Sequence, residues 1–152
     1  MSNLFPMRQV KILSDSDFMT DSDHKINLKD KSLTVILFKD EEDLSIQLTD
    51  IWNDISQKIS GPVFAICNMK EQTLIPKNFE DLSKDTSSSY HMFASHKVPF
   101  ILVYRDSKPK KIYCDLFSGV NLTIFLSTLI DNYSDESMDF DNDFDNSETN
   151  AV

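Results

Sequence analysis

With 152 residues, 40% of them hydrophobic, eleven Phe and only two Gly and five Pro, the chain has the composition of one packed domain, not of a collagen-like or Pro/Gly-rich low-complexity design. No apolar run nears the roughly 20 residues of a bilayer span, and the opening MSNLFPMRQVKIL lacks the charged-then-apolar order of a secretion leader, so neither membrane contact nor secretion is expected. The net charge is −10, from 25 acids against 15 bases, but eight of the acids and none of the bases lie in residues 131–152; the remaining 17 against 15 leave a near-neutral body, which excludes nucleic-acid binding through clustered Lys and Arg.

In chain order, Val10-Lys11-Ile12-Leu13 alternates as a short strand does, and Ser14-Asp15-Ser16-Asp17 supplies capping and turn side chains. The acid-rich residues 15–23 do not form a calcium loop, because no central Gly is present and Ile26 stands where a bidentate Glu belongs. Leu33-Thr34-Val35-Ile36-Leu37-Phe38 predicts a strand buried on both faces. Lys39-Asp40-Glu41-Glu42-Asp43 then opens a helix, since acids favour the positive end of its dipole. Leu44, Leu48, Ile51, Trp52, Ile55 and Ile59 recur at helical spacing, Trp52 as core anchor, until Gly61-Pro62 stops the pattern. Val63-Phe64-Ala65-Ile66-Cys67 is a second buried strand, parallel to the first in a βαβ unit. Residues 79–93 carry a weaker helical pattern broken by Ser87-Ser88-Ser89. Val98-Pro99-Phe100-Ile101-Leu102-Val103-Tyr104 forms a strand, residues 105–109 turn it, and residues 110–114 return antiparallel, with Lys108-Pro109-Lys110-Lys111 read as a charged turn. Asn121 caps a closing helix over residues 122–130 that presents Leu122, Phe125, Leu126, Leu129 and Ile130.

Beyond it the pattern stops. DNYSDESMDFDNDFDNSETNAV has too few apolar groups to offset ordering entropy and predicts a disordered acidic tail over residues 133–152. Asp139-Phe140-Asp141-Asn142 repeats at once as Asp143-Phe144-Asp145-Asn146. The tail serves solubility, or docks through Phe140 and Phe144 as apolar anchors in negative charge.

The order β-α-β-α-β-β-α, with Val98-Pro99 opening the third core strand, resembles the thioredoxin-like superfamily over residues 9–132, preceded by an extension over residues 1–8. The resemblance implies an α/β fold, a mixed sheet flanked by helices. It also implies a cis bond before Pro99, which is energetically modest for X–Pro, and backbone groups of Val98 offered to an extended peptide. The family's Cys-x-x-Cys would fall on Glu42-Asp43-Leu44-Ser45, so neither reactive sulfur is present, and Ile36 occupies the place of its buried acid. Ser107 and Asp115 stand where relatives have glycines.

Other chemistry is weakly supported. Cys67 and Cys114 lie in apolar runs and read as buried, reduced packing residues; a disulfide between them needs Cα atoms within roughly 7 Å. His91 and His96, five apart, fall on different helix faces with no cysteine pair to support zinc, and His24 stands apart. No Gly-x-Ser-x-Gly marks a hydrolase, and Glu41, Glu42 and Asp43 fit dipole complements better than catalytic carboxylates. No metal or cofactor is expected. The favoured reading is a redox-inactive protein-binding or structural module acting through Glu42, Ser45, Val98 and Pro99. Its composition, rich in Asn, Asp, Lys, Ile and Ser, is similar to that of proteins from AT-rich genomes such as large DNA viruses, which points to a cytoplasmic or virion assembly component. Two alternatives stand: an atypical thiol-disulfide oxidoreductase or glutathione-handling relative using Cys67 or Cys114, and an adaptor that binds through its tail.

Overall fold

A computed structural model describes residues 10–19, 25–114 and 117–135, with backbone alone for 130–135. Residues 1–8, His24, Asp115, Phe140, Phe144 and positions 136–152 of the expected tail lie outside the described residues, and with them the expectations placed there; the first three residues of that tail, 133–135, are instead the end of a helix, because the closing helix runs on past residue 130. The described residues fall into two compact units, residues 10–114 and 117–135.

The first unit holds a five-stranded sheet in the order β1-β3-β2-β4-β5. Its strands are β1 (Lys11–Leu13), β2 (Thr34–Lys39), β3 (Val63–Asn68), β4 (Phe100–Arg105) and β5 (Lys108–Tyr113). Helix α1 (Asp43–Lys58) joins β2 to β3, and α2 (Leu74–Ser83) and the single turn α3 (His91–Ala94) join β3 to β4. β1, β3 and β2 run parallel, while β4 and β5 are antiparallel to their neighbours. The expected mixed sheet is present. β2 and β4 are buried on both faces because helices cover both.

Side-chain alternation assigns the faces. Val35 and Leu37 align with Phe64 and Ile66, on the face where α1 packs. There Trp52 is fully buried, meets Phe64 edge-on with ring centroids 5.1 Å apart, and donates its Nε1–H to the Ala65 carbonyl at 3.0 Å. The buried face of α1 is Ser45, Leu48, Trp52, Ile55 and Ser56. Leu44, expected in that stripe, is 51% exposed, because the face that meets the sheet runs through Ser45, Leu48, Trp52 and Ile55, and Leu44 lies off it.

On the opposite face Phe38 centres an aromatic cluster. Its ring centroid lies 5.1 Å from Phe79 of α2, 5.2 Å from Phe100 and 6.2 Å from Phe18. Phe18, Ile26 and Leu28, in the irregular stretch between β1 and β2, are buried there too, and the Tyr104 hydroxyl donates to the Ile26 carbonyl at 2.7 Å. Those three side chains join the core, while Asp15–Asp17 form the short turn that the sequence suggests.

The same stretch secures α2. Thr73, the residue before the helix, makes no side-chain cap. Instead the Asp15 carboxylate accepts the N–H groups of Thr73, Leu74 and Ile75 at 3.1, 3.0 and 2.9 Å. A residue 58 positions away in sequence therefore satisfies donors that a helix start leaves open. Partial burial acts to raise the Asp15 pKa, but the three N–H bonds outweigh it and hold the carboxyl below its ordinary value. The stabilisation is thus complete above the unfolded carboxylate pKa, near 3.9, and is lost as pH falls through the lower folded value. Asp15→Ala is expected to cost about 1–2 kcal/mol at pH 7, read as a lower urea midpoint with unchanged slope, and the gap to wild type should narrow below about pH 4.

The β4–β5 hairpin turns on two residues, Asp106 (φ 53°) and Ser107 (φ 77°), and not on the five residues 105–109. Both occupy the left-handed region, as the mirror-image hairpin turns require. Lys108 and Pro109 accordingly belong to edge strand β5.

In the second unit α4 (Gly119–Asp135) begins earlier than expected. Ser118, not Asn121, caps it: the Ser118 hydroxyl accepts the Asn121 N–H at 3.1 Å. Leu122, Leu126 and Leu129 are its buried positions. No helix among the described residues is long and apolar enough to cross a membrane.

Candidate functional site

The corner between β2 and α1 is where a Cys-x-x-Cys would sit. Asp40 closes the turn with its Oδ1 accepting the Glu42 N–H at 3.0 Å, while its own N–H donates to the Ser45 hydroxyl at 3.3 Å. Partial burial acts to raise the Asp40 pKa, but the Glu42 N–H, the Ser45 hydroxyl and the nearby Lys70 charge prevail and keep it ionised below the ordinary range. Glu41 accepts from the Asn68 side chain at 3.2 Å, and Glu42, the residue preceding the helix, is exposed.

Ser45 requires a correction. It is fully buried, so it cannot face a partner; it holds the Asp40 corner from below. Side chains in the first turn of α1 that point at the sheet become core, and the position three after Glu42 is one of them.

Val98 and Pro99 precede β4 on the neighbouring strand. The bond between them is cis, as the resemblance implied, and both residues are half-buried. Among the described residues, the backbone N–H and C=O groups of Lys97 and Val98 make no hydrogen bond. They can therefore pair with an added strand.

Beside them opens a groove of about 520 Å³. Met69, Pro76, Phe79, Ala94, Val98 and Phe100 give it an apolar floor, and Asp40, Glu80, His96 and Lys97 are among its polar lining. Of the expected contact residues the groove thus includes Val98, with Asp40 linking it to the corner that carries Glu42. Only the second half of α2 was legible in the sequence, as the start of the helical pattern over residues 79–93, because Pro76 breaks a helical reading of its first turn. A Pro in the first turn costs no hydrogen bond, and the spacing Ile75, Phe79, Leu82 was the available signal.

The thiols are separated. Cys67 is buried on β3, where burial chiefly, with the nearby Asp15 and Asp17 charges, pushes its pKa up to about 12. Cys114 is exposed, contrary to expectation, because the chain leaves the edge strand at Tyr113. Register places Cys67, Phe38 and Phe100 in one row across the sheet, with Cys114 next beyond the Tyr113–Ile101 pair. Three strand spacings put the two Cα atoms on the order of 14 Å apart, about twice the Cα separation a disulfide spans. Of the histidines, His91 faces the Leu82 carbonyl and Ser95, and His96 tilts toward Phe100.

No family model matches this chain, and no curated protein matches it in sequence. Among solved structures it is similar to the thioredoxin of Malassezia sympodialis (Mala s 13), a member of a pan-allergen family, with a TM-score of 0.53 and 10% identity over 83% of this chain and 95% of that one. At that identity the likeness is one of fold: the protein is thioredoxin-like in architecture.

Proposed function

We propose that the protein is a redox-inactive binding or structural module that seats an extended segment of a partner protein on the face around Glu42, Val98 and Pro99. One observation carries this reading. An apolar-floored groove lies against unpaired backbone groups at Val98, and the position of a reactive dithiol beside it holds Glu42 and a buried Ser45. That arrangement suits recognition of main chain and side chain together, and it lacks a nucleophile. An assembly or virion component, acting in the cytoplasm or in a particle, is the specific form favoured by composition, and docking through Phe140 and Phe144 would add to it.

The second reading, a thiol oxidoreductase, draws on the exposure of Cys114. Insulin reduction with dithiothreitol separates the two. Wild type should show no turnover above reductant alone, while an active thioredoxin run alongside precipitates insulin within minutes. Turnover that disappears in Cys67→Ser/Cys114→Ser would reverse the assignment.

A further inference from the structure

We infer that His91 is a positioning residue of the groove: its ring clasps the rim that carries Val98 to the last turn of α2. The inference rests on the binding role proposed above and adds how that site keeps its shape. Two walls flank the groove, Pro76, Phe79 and Glu80 of α2 on one side and residues 94–98 on the other. His91 is half-buried and lines neither wall, yet it is bonded to both. Its Nδ1 lies 3.3 Å from the carbonyl oxygen of Leu82, and its Nε2 lies 3.3 Å from the Ser95 hydroxyl.

The rim depends on such a tie. Residues 95–99 belong to no helix or strand, and Ser95, His96 and Lys97 are exposed. Among the described residues the backbone groups of Lys97 and Val98 make no hydrogen bond. A segment without backbone pairing loses entropy when it is ordered, so a rim that is loose before binding weakens whatever binds.

The hydrogen positions follow from what each partner can do. The Leu82 carbonyl only accepts, so Nδ1 carries a hydrogen; the other lone pair of that carbonyl takes the Asp85 N–H at 3.2 Å. In the neutral ring Nε2 accepts from the Ser95 hydroxyl. In the charged ring Nε2 donates to the same oxygen, while the hydroxyl turns its hydrogen to the His91 carbonyl, 2.6 Å away. The clasp closes in either charge state because a hydroxyl donates and accepts through one atom.

The test measures amide-nitrogen order parameters of Lys97 and Val98 in the full-length protein, in His91→Phe, in Ser95→Ala and in the double variant. Phe keeps a ring and removes both hydrogen bonds, so it separates bonding from space-filling. Wild type is expected near 0.85, as for rigid backbone, and each single variant below about 0.6, with circular dichroism unchanged. The double variant should be no looser than either single one, since both changes break the same clasp. A neutral heptapeptide with Leu at its centre and Ser elsewhere, titrated against the Val98 amide shift, should bind each variant about fivefold more weakly than wild type. Wild-type order parameters in His91→Phe, or a rim already flexible in wild type, would overturn the clasp and leave the binding role standing. A peptide that shifts neither Lys97 nor Val98 in wild type would overturn the binding role, with the order parameters still deciding the clasp.

Discussion

Ellman's reagent is expected to modify one thiol in the native protein, Cys114, and to leave Cys67 silent until the chain unfolds. At pH 8 a thiol with a pKa of about 12 is ionised roughly a thousandfold less than an ordinary cysteine. Burial beside Phe38 on the covered face of the sheet also excludes the reagent. The reaction of Cys67 should therefore follow the opening of the sheet, and its rate should rise with urea in step with unfolding. Cys114→Ser should leave a native protein with almost no reactivity. Rapid modification of both thiols in the absence of denaturant would contradict the buried position of Cys67 and reopen a redox role. The same experiment bears on the corner at Glu42, since no other sulfur nucleophile remains to serve it.

Trp52→Ala is expected to cost about 3–5 kcal/mol, which for a domain of this size is a large share of total stability. The indole is wholly buried between α1 and the sheet, and its removal leaves a cavity lined by Phe64 and the β3 backbone. Trp52→Phe should cost about 1–3 kcal/mol, because it refills part of the space but withdraws the N–H from the Ala65 carbonyl. Urea denaturation gives both values from the midpoint at constant slope. A loss below about 1 kcal/mol for the alanine variant would mean that α1 is not close-packed on this face.

The parts of the fold that were legible share one property: their signal is local. Runs such as residues 33–38 and 63–67 announce buried strands by composition alone, and Leu48, Trp52 and Ile55 mark α1 by period. What was missed depends on distant partners. Phe18, Ile26 and Leu28 sit among acids and polar residues, and only the open flank of the sheet beside Phe38 makes them core. Asp15 looks like a local cap, yet its acceptors serve a helix 58 residues on. The two-residue hairpin was obscured because Asp106-Ser107 lacks the glycine that normally marks such a turn. At the site, Val98 and Pro99 were singled out by the resemblance, which places them at the start of a core strand, and the cis bond it implied is present. Ser45 and Cys114 could not, since whether a residue is covered depends on which neighbours arrive from elsewhere in the chain.

The Asp15 bridge reaches further than helix stability. Because α2 forms one wall of the groove, the amides at positions 73–75 fasten that wall to the end of edge strand β1, and any ligand that presses on α2 is energetically linked to the first strand. Linkage is reciprocal, so an occupied groove should slow hydrogen exchange at those amides, and clipping the polypeptide ahead of β2 should leave the groove with a floating side.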